Sequence, residues 1–349
     1  MISIEPGHQQ MEPSQVTTHS TMSDVQRSPL DEKSDVSVVL PYFKSEAFVR
    51  ETIDSILAQD CKVREIVVID DGTPYDSADE ALAPYPFLTR ARQENQGPGA
   101  ARQAGFLLTT APYVCFLDCD DRIAPGGLTL LRDALVEHPE WGMVSGRAMV
   151  IDEEGVPTGA MMLPQPETDD LYGELLERTY ICPPGSVLFR STVLEKVGGW
   201  RNVANHWGVE DYDVYLRIAR NGPIGCVQDV VNEYRRHPGS QGQDSERLLE
   251  SIVNVLEDER QYTTLDWQRE QSRLAGLAYW KTEFSVRHRE HAMRKAWQSK
   301  QRLRAVGLAI ALVVRFPLRL TTSVAHRVKA KVAKRNGPDP EPEINPAIK

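Results

Sequence analysis

Arg64-Glu-Ile-Val-Val-Ile-Asp-Asp-Gly72 sets four β-branched residues in a row and then breaks into two acids and a glycine. A strand that is apolar at consecutive positions has no solvent face, so this run predicts a parallel strand covered on both sides. Upstream, Val36-Ser-Val-Val-Leu-Pro41 is a second β-rich run, ended by proline. Downstream, Tyr113-Val-Cys-Phe-Leu-Asp118 is a further one, and a shorter extended piece is expected near Phe87–Arg92. Helical periodicity fills the gaps. Phe48, Thr52, Ile53, Ile56 and Leu57 share one side of a helix expected over Ser45–Gln59, with Ser45 as its N-cap. Further helices are expected over Gly99–Leu108 and Gly126–Glu137. This alternation predicts an α/β fold, an open and mostly parallel sheet flanked by helices.

In such sheets ligands bind beyond the carboxyl ends of the strands. Two acidic clusters stand there, Asp70-Asp71-Gly72 and Asp118-Cys119-Asp120-Asp121. Three carboxylates beyond a buried strand repel one another and lose hydration, an arrangement that a cation relieves. Oxygen ligands of this kind suit Mg²⁺ or Mn²⁺, which share few protein carboxylates with substrate phosphates. Asp70 and Asp71 only accept hydrogen bonds when ionised, which suits a base N–H or ribose hydroxyls, although an Asp-Gly pair also makes an ordinary turn. Asn95-Gln-Gly-Pro-Gly-Ala-Ala-Arg102 opens a helix with little side-chain bulk. Gly97 and its neighbours let a ligand approach the backbone, the helix start favours an anion, and Arg102 is long enough to reach phosphate. Tight helix–sheet packing would explain the same small residues.

Gly208-Val-Glu-Asp-Tyr-Asp-Val-Tyr-Leu-Arg-Ile-Ala-Arg-Asn-Gly222 reads as an amphipathic helix stopped by Gly222, with Glu210 and Asp211 in the first turn. The helix dipole alone would favour acids there. Successive residues point about 100° apart, so one acid can face the crevice while the other makes a structural bond. Pro183-Pro-Gly-Ser186 leads into another strand, and Ser186 is a candidate for the acceptor side. Tyr234-Arg-Arg-His237 closes the region, with His237 as a candidate metal ligand.

In order, these stretches resemble the inverting glycosyltransferase family 2, built on the GT-A (Rossmann-like) fold. The resemblance is carried by Val36–Pro41, Glu65–Gly72, Gln93–Gly97, Ala100–Arg102, Phe116–Asp121, Gly198-Gly-Trp200, Glu210-Asp211 and Tyr234–His237. It implies a nucleotide-sugar site drawn from Pro41, Asp70, Asp71, Gly97, Arg102 and Asp118. Asp70 or Asp71 would hold the base and Asp118 the ribose or donor sugar. Asp120, with His237, would hold Mg²⁺ or Mn²⁺ on the diphosphate, Asp211 would be the general base beside Glu210, and Ser186 and Trp207 would face the acceptor. A UDP-sugar is the favoured donor, and a glycan or lipid-linked acceptor is implied. Two departures stand out, Cys119 at the middle of the Asp-x-Asp and the composition of Asn202–Gly208, with His206 and Trp207. A nucleotide-sugar sensor without catalysis is the alternative. A nucleotidyltransferase would carry a Gly-rich loop after the first strand, which Pro41-Tyr-Phe-Lys-Ser45 is not.

The 349 residues carry a net charge of −10, spread unevenly. Between Gln271 and Gly337 sixteen Lys or Arg stand against two Glu, leaving an acidic body and a basic tail. The acidic body argues against nucleic acid as a ligand. Five scattered cysteines without a CxxC pair read as reduced thiols. No secretory signal pattern opens the chain, so the reading is cytoplasmic. The expected organisation is a disordered leader (1–33), the catalytic domain (34–245), a basic helical extension (246–337) and a disordered tail (338–349). Ala305–Val314 is apolar and flanked by arginines, yet shorter than the about 20 residues of a membrane span. It suits peripheral attachment to an anionic membrane surface, against the alternative of a helix packed on the domain.

Overall fold

The computed structural model describes residues 30–74, 77–162, 166, 168–239 and 245–299. The first half runs β1 (Val36–Tyr42), α1 (Val49–Leu57), β2 (Glu65–Asp71), α2 (Ser77–Leu82), β3 (Thr89–Gln93), α3 (Pro98–Phe106), β4 (Tyr113–Phe116), β5 (Arg122–Ile123) and α4 (Gly127–Glu137). The second half runs β6 (Met143–Ile151), β7 (Pro157–Met161), α5 (Leu171–Glu177), β8 (Val187–Arg190), α6 (Ser191–Lys196), α7 (Glu210–Asn221), β9 (Gly225–Arg235), α8 (Ser245–Thr263) and α9 (Trp267–Gln298). Among the described residues the strands form one mixed sheet in the order β3-β2-β1-β4-β8-β6-β9-β5, with β7 on β6.

The apolar runs behave as their composition demands. β1 pairs in parallel with β2 on one side and β4 on the other. Because side chains alternate across a strand, Val38, Leu40, Ile66, Val68 and Cys115 enter one core, against α1, α2 and α4. Val39, Val67, Ile69, Val114 and Phe116 enter the other, against α5, α7, α8 and α9. Fully burying one such Val, Ile or Phe is worth roughly 1.5–3 kcal/mol, so both faces of the run contribute. β8 then pairs antiparallel with β4, ending the parallel half of the sheet.

The expected elements are present with shifted ends, and Ser45 is a correction. The helix starts at Val49 with Phe48 as its N-cap, and the Ser45 hydroxyl donates to the Phe43 carbonyl instead. A turn over Ser45–Phe48 intervenes, its Phe48 N–H bonded to the Ser45 carbonyl at 3.1 Å.

At the C-terminal side, α8 and α9 bury Ile252, Val255, Leu256, Leu277, Trp280 and Phe284 in the same cluster as the sheet. The described part of the expected extension is therefore packed on the domain. No helix of the described residues is long and apolar enough to cross a membrane. Residues 1–29 of the expected leader and everything beyond residue 299, including Ala305–Val314 and the 338–349 tail, lie outside the described residues. Residues 30–33 are described, and Leu30 donates its backbone N–H to Arg64 at 2.7 Å.

Helix α9 crosses α5 at Gly276, where an added Cβ would run into the Leu176 carbonyl oxygen. Backbone cannot yield as a flexible side chain can. Gly276→Ala is expected to destabilise the protein by about 1–3 kcal/mol, read by denaturant titration. An unchanged midpoint would show that α9 does not share the core.

Candidate active site

The parallel ladder puts both acidic turns at one edge. Tyr42 of β1 stands beside Asp70 of β2, and Leu117, just past β4, donates its N–H to Val39 at 3.0 Å. Asp70, Asp71, Asp118 and Asp120 therefore leave the sheet together, with β1 between the two turns.

The two acids of the first turn do different work. Asp71 is 3% exposed and its carboxylate accepts from the Gln96 N–H at 2.9 Å, the Gly97 N–H at 2.9 Å and Gln93 Nε2 at 2.8 Å. It spends its acceptors holding the loop before α3, while burial pushes its pKa up. Asp70 accepts from the Thr73 N–H at 2.8 Å and faces Arg92 Nη1 at 3.3 Å. Of the two base candidates, Asp70 retains the freer acceptor geometry. Gly97 has φ +89°, and an added Cβ there would meet nothing within 4 Å, so the backbone lies open beside the loop that Asp71 ties down. Pro41 is the last residue but one of β1, its carbonyl accepting from the Cys119 thiol at 3.3 Å.

The second turn is braced from below. Thr52 on α1 donates its hydroxyl to the carbonyls of Cys119 (2.9 Å) and Asp121 (2.7 Å). Asp121 is fully buried and accepts from the Arg235 N–H at 2.9 Å. Burial, then Asp120 and Asp118, push its pKa well up. Arg235 sends Nε to the Asp120 carbonyl (2.8 Å), Nη1 to the Glu153 carbonyl (2.7 Å) and Nη2 to the Glu51 carboxylate (2.7 Å). Its guanidinium also lies over the Phe48 ring at 4.9 Å. Asp121 is thus a structural anchor, and Asp118 and Asp120 are the acids left at the opening.

Asp118 accepts from Arg102 Nη2 at 2.6 Å. Arg102 is 5% exposed, lying over the Trp200 ring at 4.9 Å. Burial alone would lower its pKa, but Asp118, Asp211 and Glu210 overcome that and hold it above the usual guanidinium value. Asp120 Oδ2 stands 3.0 Å from His237 Nε2. Burial and Asp118 push the Asp120 pKa up, and His237 pulls it back.

From the far wall, α7 presents the remaining acids. Glu210 accepts from the Gly208 N–H at 3.0 Å and packs so closely that a Cβ on Gly99 would lie 2.8 Å from its Cγ. Asp211 accepts from the Tyr212 N–H at 2.7 Å. Its pKa is pushed up to about 6 by burial, with Arg102 lowering it and Glu210 and Asp118 raising it further. The acids at the start of α7 and those beyond β4 thus meet around one guanidinium.

Ser186 does not join them. It is fully buried and its hydroxyl donates to the Pro183 carbonyl at 2.7 Å. Trp207 is half-buried, under the Arg247 guanidinium at 4.3 Å. Cys115 and Cys119 are buried thiols, with burial raising both. Among the described residues no three His, Cys, Asp or Glu side chains form a ready metal cage. Sequence reasoning missed the braces Thr52, Glu51 and Arg235 and the Asp70 partner Arg92. Arg235 lies in the Tyr234–His237 stretch already singled out for the site, whereas Thr52, Glu51 and Arg92 lie in stretches read only as helix or strand.

A parallel half-sheet, its strands' carboxyl ends lined with acids, and an acid-bearing helix opposite define the GT-A class of fold. In keeping with that, Staphylococcus aureus TarS (residues 1–349) in complex with UDP superposes with a TM-score of 0.53 at 20% identity, covering 76% of this chain and 75% of that one. The mannosyltransferase PcManGT from Pyrobaculum calidifontis, in complex with GDP-Man and Mn²⁺, superposes with a TM-score of 0.51 at 18% identity, covering 89% of both chains. Residues 37–198 match the family model of glycosyl transferase family 2. Over that stretch, a little under half of its length, the chain is similar to glycosyltransferase family 2. The succinoglycan biosynthesis protein ExoU of Rhizobium meliloti (strain 1021) is 28% identical over 208 residues, 54% of this chain and 58% of ExoU.

Replacing Asp71 with Ala strands the Gln96 and Gly97 N–H groups. The expected cost is about 1–3 kcal/mol, with faster amide exchange over residues 94–99. Unchanged exchange there would show that Asp71 does not hold the loop.

Proposed function

We propose that this protein transfers a sugar from a nucleoside-diphosphate sugar to a hydroxyl acceptor in one inverting displacement, with Asp211 as general base. The observation that carries this reading is the meeting of Asp211 with Asp118 around Arg102, with burial pushing Asp211 up to about 6. A carboxylate so raised is still ionised at neutral pH and is a stronger proton acceptor than an ordinary aspartate.

The other residues then take consistent parts. Asp70 accepts and Arg92 donates at the base end, a pair suited to an imide edge such as that of uracil. A UDP-sugar is therefore the favoured donor, and UDP is what the TarS structure holds. Asp118, fixed by Arg102, faces the ribose or donor sugar. Asp120 and His237 offer a carboxylate and an imidazole side by side, which fits Mg²⁺ or Mn²⁺ completing its shell on diphosphate oxygens. When bound, the ion supplies Lewis-acid stabilisation of the charge on the departing diphosphate. The open backbone at Gly97 leaves room for the donor beside the start of α3. Asp211 takes the proton of the attacking hydroxyl on the opposite side of the anomeric carbon. Trp207 and its loop border that side, where a glycan or lipid-linked acceptor would enter.

A sensor that only binds nucleotide sugars would have no use for a raised carboxylate poised on the acceptor side. The setting of the reaction follows from the donor: nucleotide sugars are cytoplasmic, and the basic segment beyond residue 270 suits peripheral contact with anionic lipid.

The test is turnover with UDP-glucose, UDP-N-acetylglucosamine and GDP-mannose. Turnover should vanish on chelation and return with Mn²⁺ or Mg²⁺. Binding without turnover of any donor would favour the sensor. Below pH 6 Asp211 is protonated and cannot accept a proton, so kcat/KM should rise through about pH 6 and level above it. Asp211→Asn should remove this limb and lower kcat by about 10²–10⁴, leaving UDP affinity within about twofold. Near-normal turnover in that variant would refute Asp211 as the base.

A further inference from the structure

The family match ends at residue 198, before the loop that delivers Glu210 and Asp211 to the crevice. Residues 202–208 form that loop, and they lean on α8. His206 is 1% exposed, with Nε2 3.1 Å from Asp258 Oδ2 on α8 and Nδ1 3.7 Å from Asp213 Oδ1 on α7. Arg247 of α8 covers the Trp207 ring at 4.3 Å. Asn254 of α8 donates its side-chain N–H to the Asn205 carbonyl at 3.3 Å. Arg247, Asn254 and Asp258 follow at i, i+7 and i+11, one stripe of the helix. The core-facing stripe of α8, with Ile252, Val255, Leu256 and Glu259, is a different one, rotated by about 130°.

The contact reaches the acids through the backbone. The His206 N–H bonds the Val203 carbonyl at 2.9 Å, and the Val209 N–H bonds the His206 carbonyl at 3.1 Å. Val209 is the N-cap of α7 and immediately precedes Glu210. Fixing His206 therefore fixes the entry of α7. On its other side, Asp213 is held by Arg201 and by Arg217, whose Nε lies 2.9 Å from Oδ2. The imidazole is wedged between this rigid point of α7 and α8, close to both carboxylates, although neither ring nitrogen forms a hydrogen bond with them.

We propose that α8 is a clamp on the acceptor side: Asp258–His206, Asn254–Asn205 and Arg247–Trp207 together hold loop 202–208, and so set the position of Asp211. His206 and Asp258 are positioning residues in this scheme. Ordering a loop costs backbone entropy, which this one offsets with contacts rather than with a strand ladder. A base misplaced by about 1 Å loses on the order of a hundredfold in rate. The clamp rests on the role of Asp211 proposed above, but the loop itself can be observed without turnover.

The experiment uses the full chain with Asp258→Ala and Arg247→Ala, two exposed side chains on the stripe that faces away from the core. Hydrogen exchange should speed up by about tenfold in peptides spanning 202–211, with β1 and β2 unchanged. UDP with Mn²⁺ should bind within about twofold of the parent, while kcat with the donors named above falls by about tenfold. Unchanged loop exchange in both variants overturns the clamp. So does equal loosening of the whole domain, which marks α8 as packing alone, or a kcat within about twofold of the parent. If the parent turns over none of the three donors, the proposed reaction fails on its own account, and the exchange pattern alone decides the clamp.

Discussion

One buried cation makes the crevice tenable. Arg102 lies under the opening with Asp118 against it and Asp211 and Glu210 within electrostatic reach, its plane covered by Trp200. Taking carboxylates out of water is expensive, and removing the partner of a buried charge typically costs 3–5 kcal/mol. The small residues of α3 follow from this constraint. Gly99 lets Glu210 approach, and Gly105 lets the helix lie on Val39 of β1 so that Arg102 sits at depth. The apolar strands, the bare helix and the acidic start of α7 are thus parts of one electrostatic arrangement.

Arg235 plays the matching role beneath Asp120. Its side chain is fully buried, yet three segments receive its hydrogen bonds or stack on it: the Asp120 turn, the start of α1 with Phe48 and Glu51, and Glu153. The backbone of the Asp120 turn is thereby held by α1 from one side and β9 from the other. Rigidity at this point suits the cation site proposed above, because a carboxylate and an imidazole side by side would be usable ligands only if neither could swing away.

The parallel half of the sheet was legible in the sequence because a strand buried on both faces writes itself as Ile66-Val-Val-Ile69, and the turns beyond it announce themselves as acids. The helix start at Glu210 was legible for the same local reasons. Assigning work within each acidic pair was not. Asp71 and Asp121 look like their neighbours in the sequence, and only their burial and their bonds to the Gly97 and Arg235 N–H groups show them to be braces. Ser186 misled because a hydroxyl after Pro-Pro-Gly suggests an exposed turn, whereas the turn into β8 is itself buried and folds the hydroxyl back on Pro183. Thr52 and Arg92 act across long sequence separations that no periodicity encodes.

The long α9 helix gives the molecule reach. Its last described residue in the shared core is Phe284, and the helix runs on to Gln298. Fourteen further residues at 1.5 Å each carry the helix axis about 21 Å past Phe284. The helix is a spar with its root in the core, so its far end stands at a set distance from the crevice.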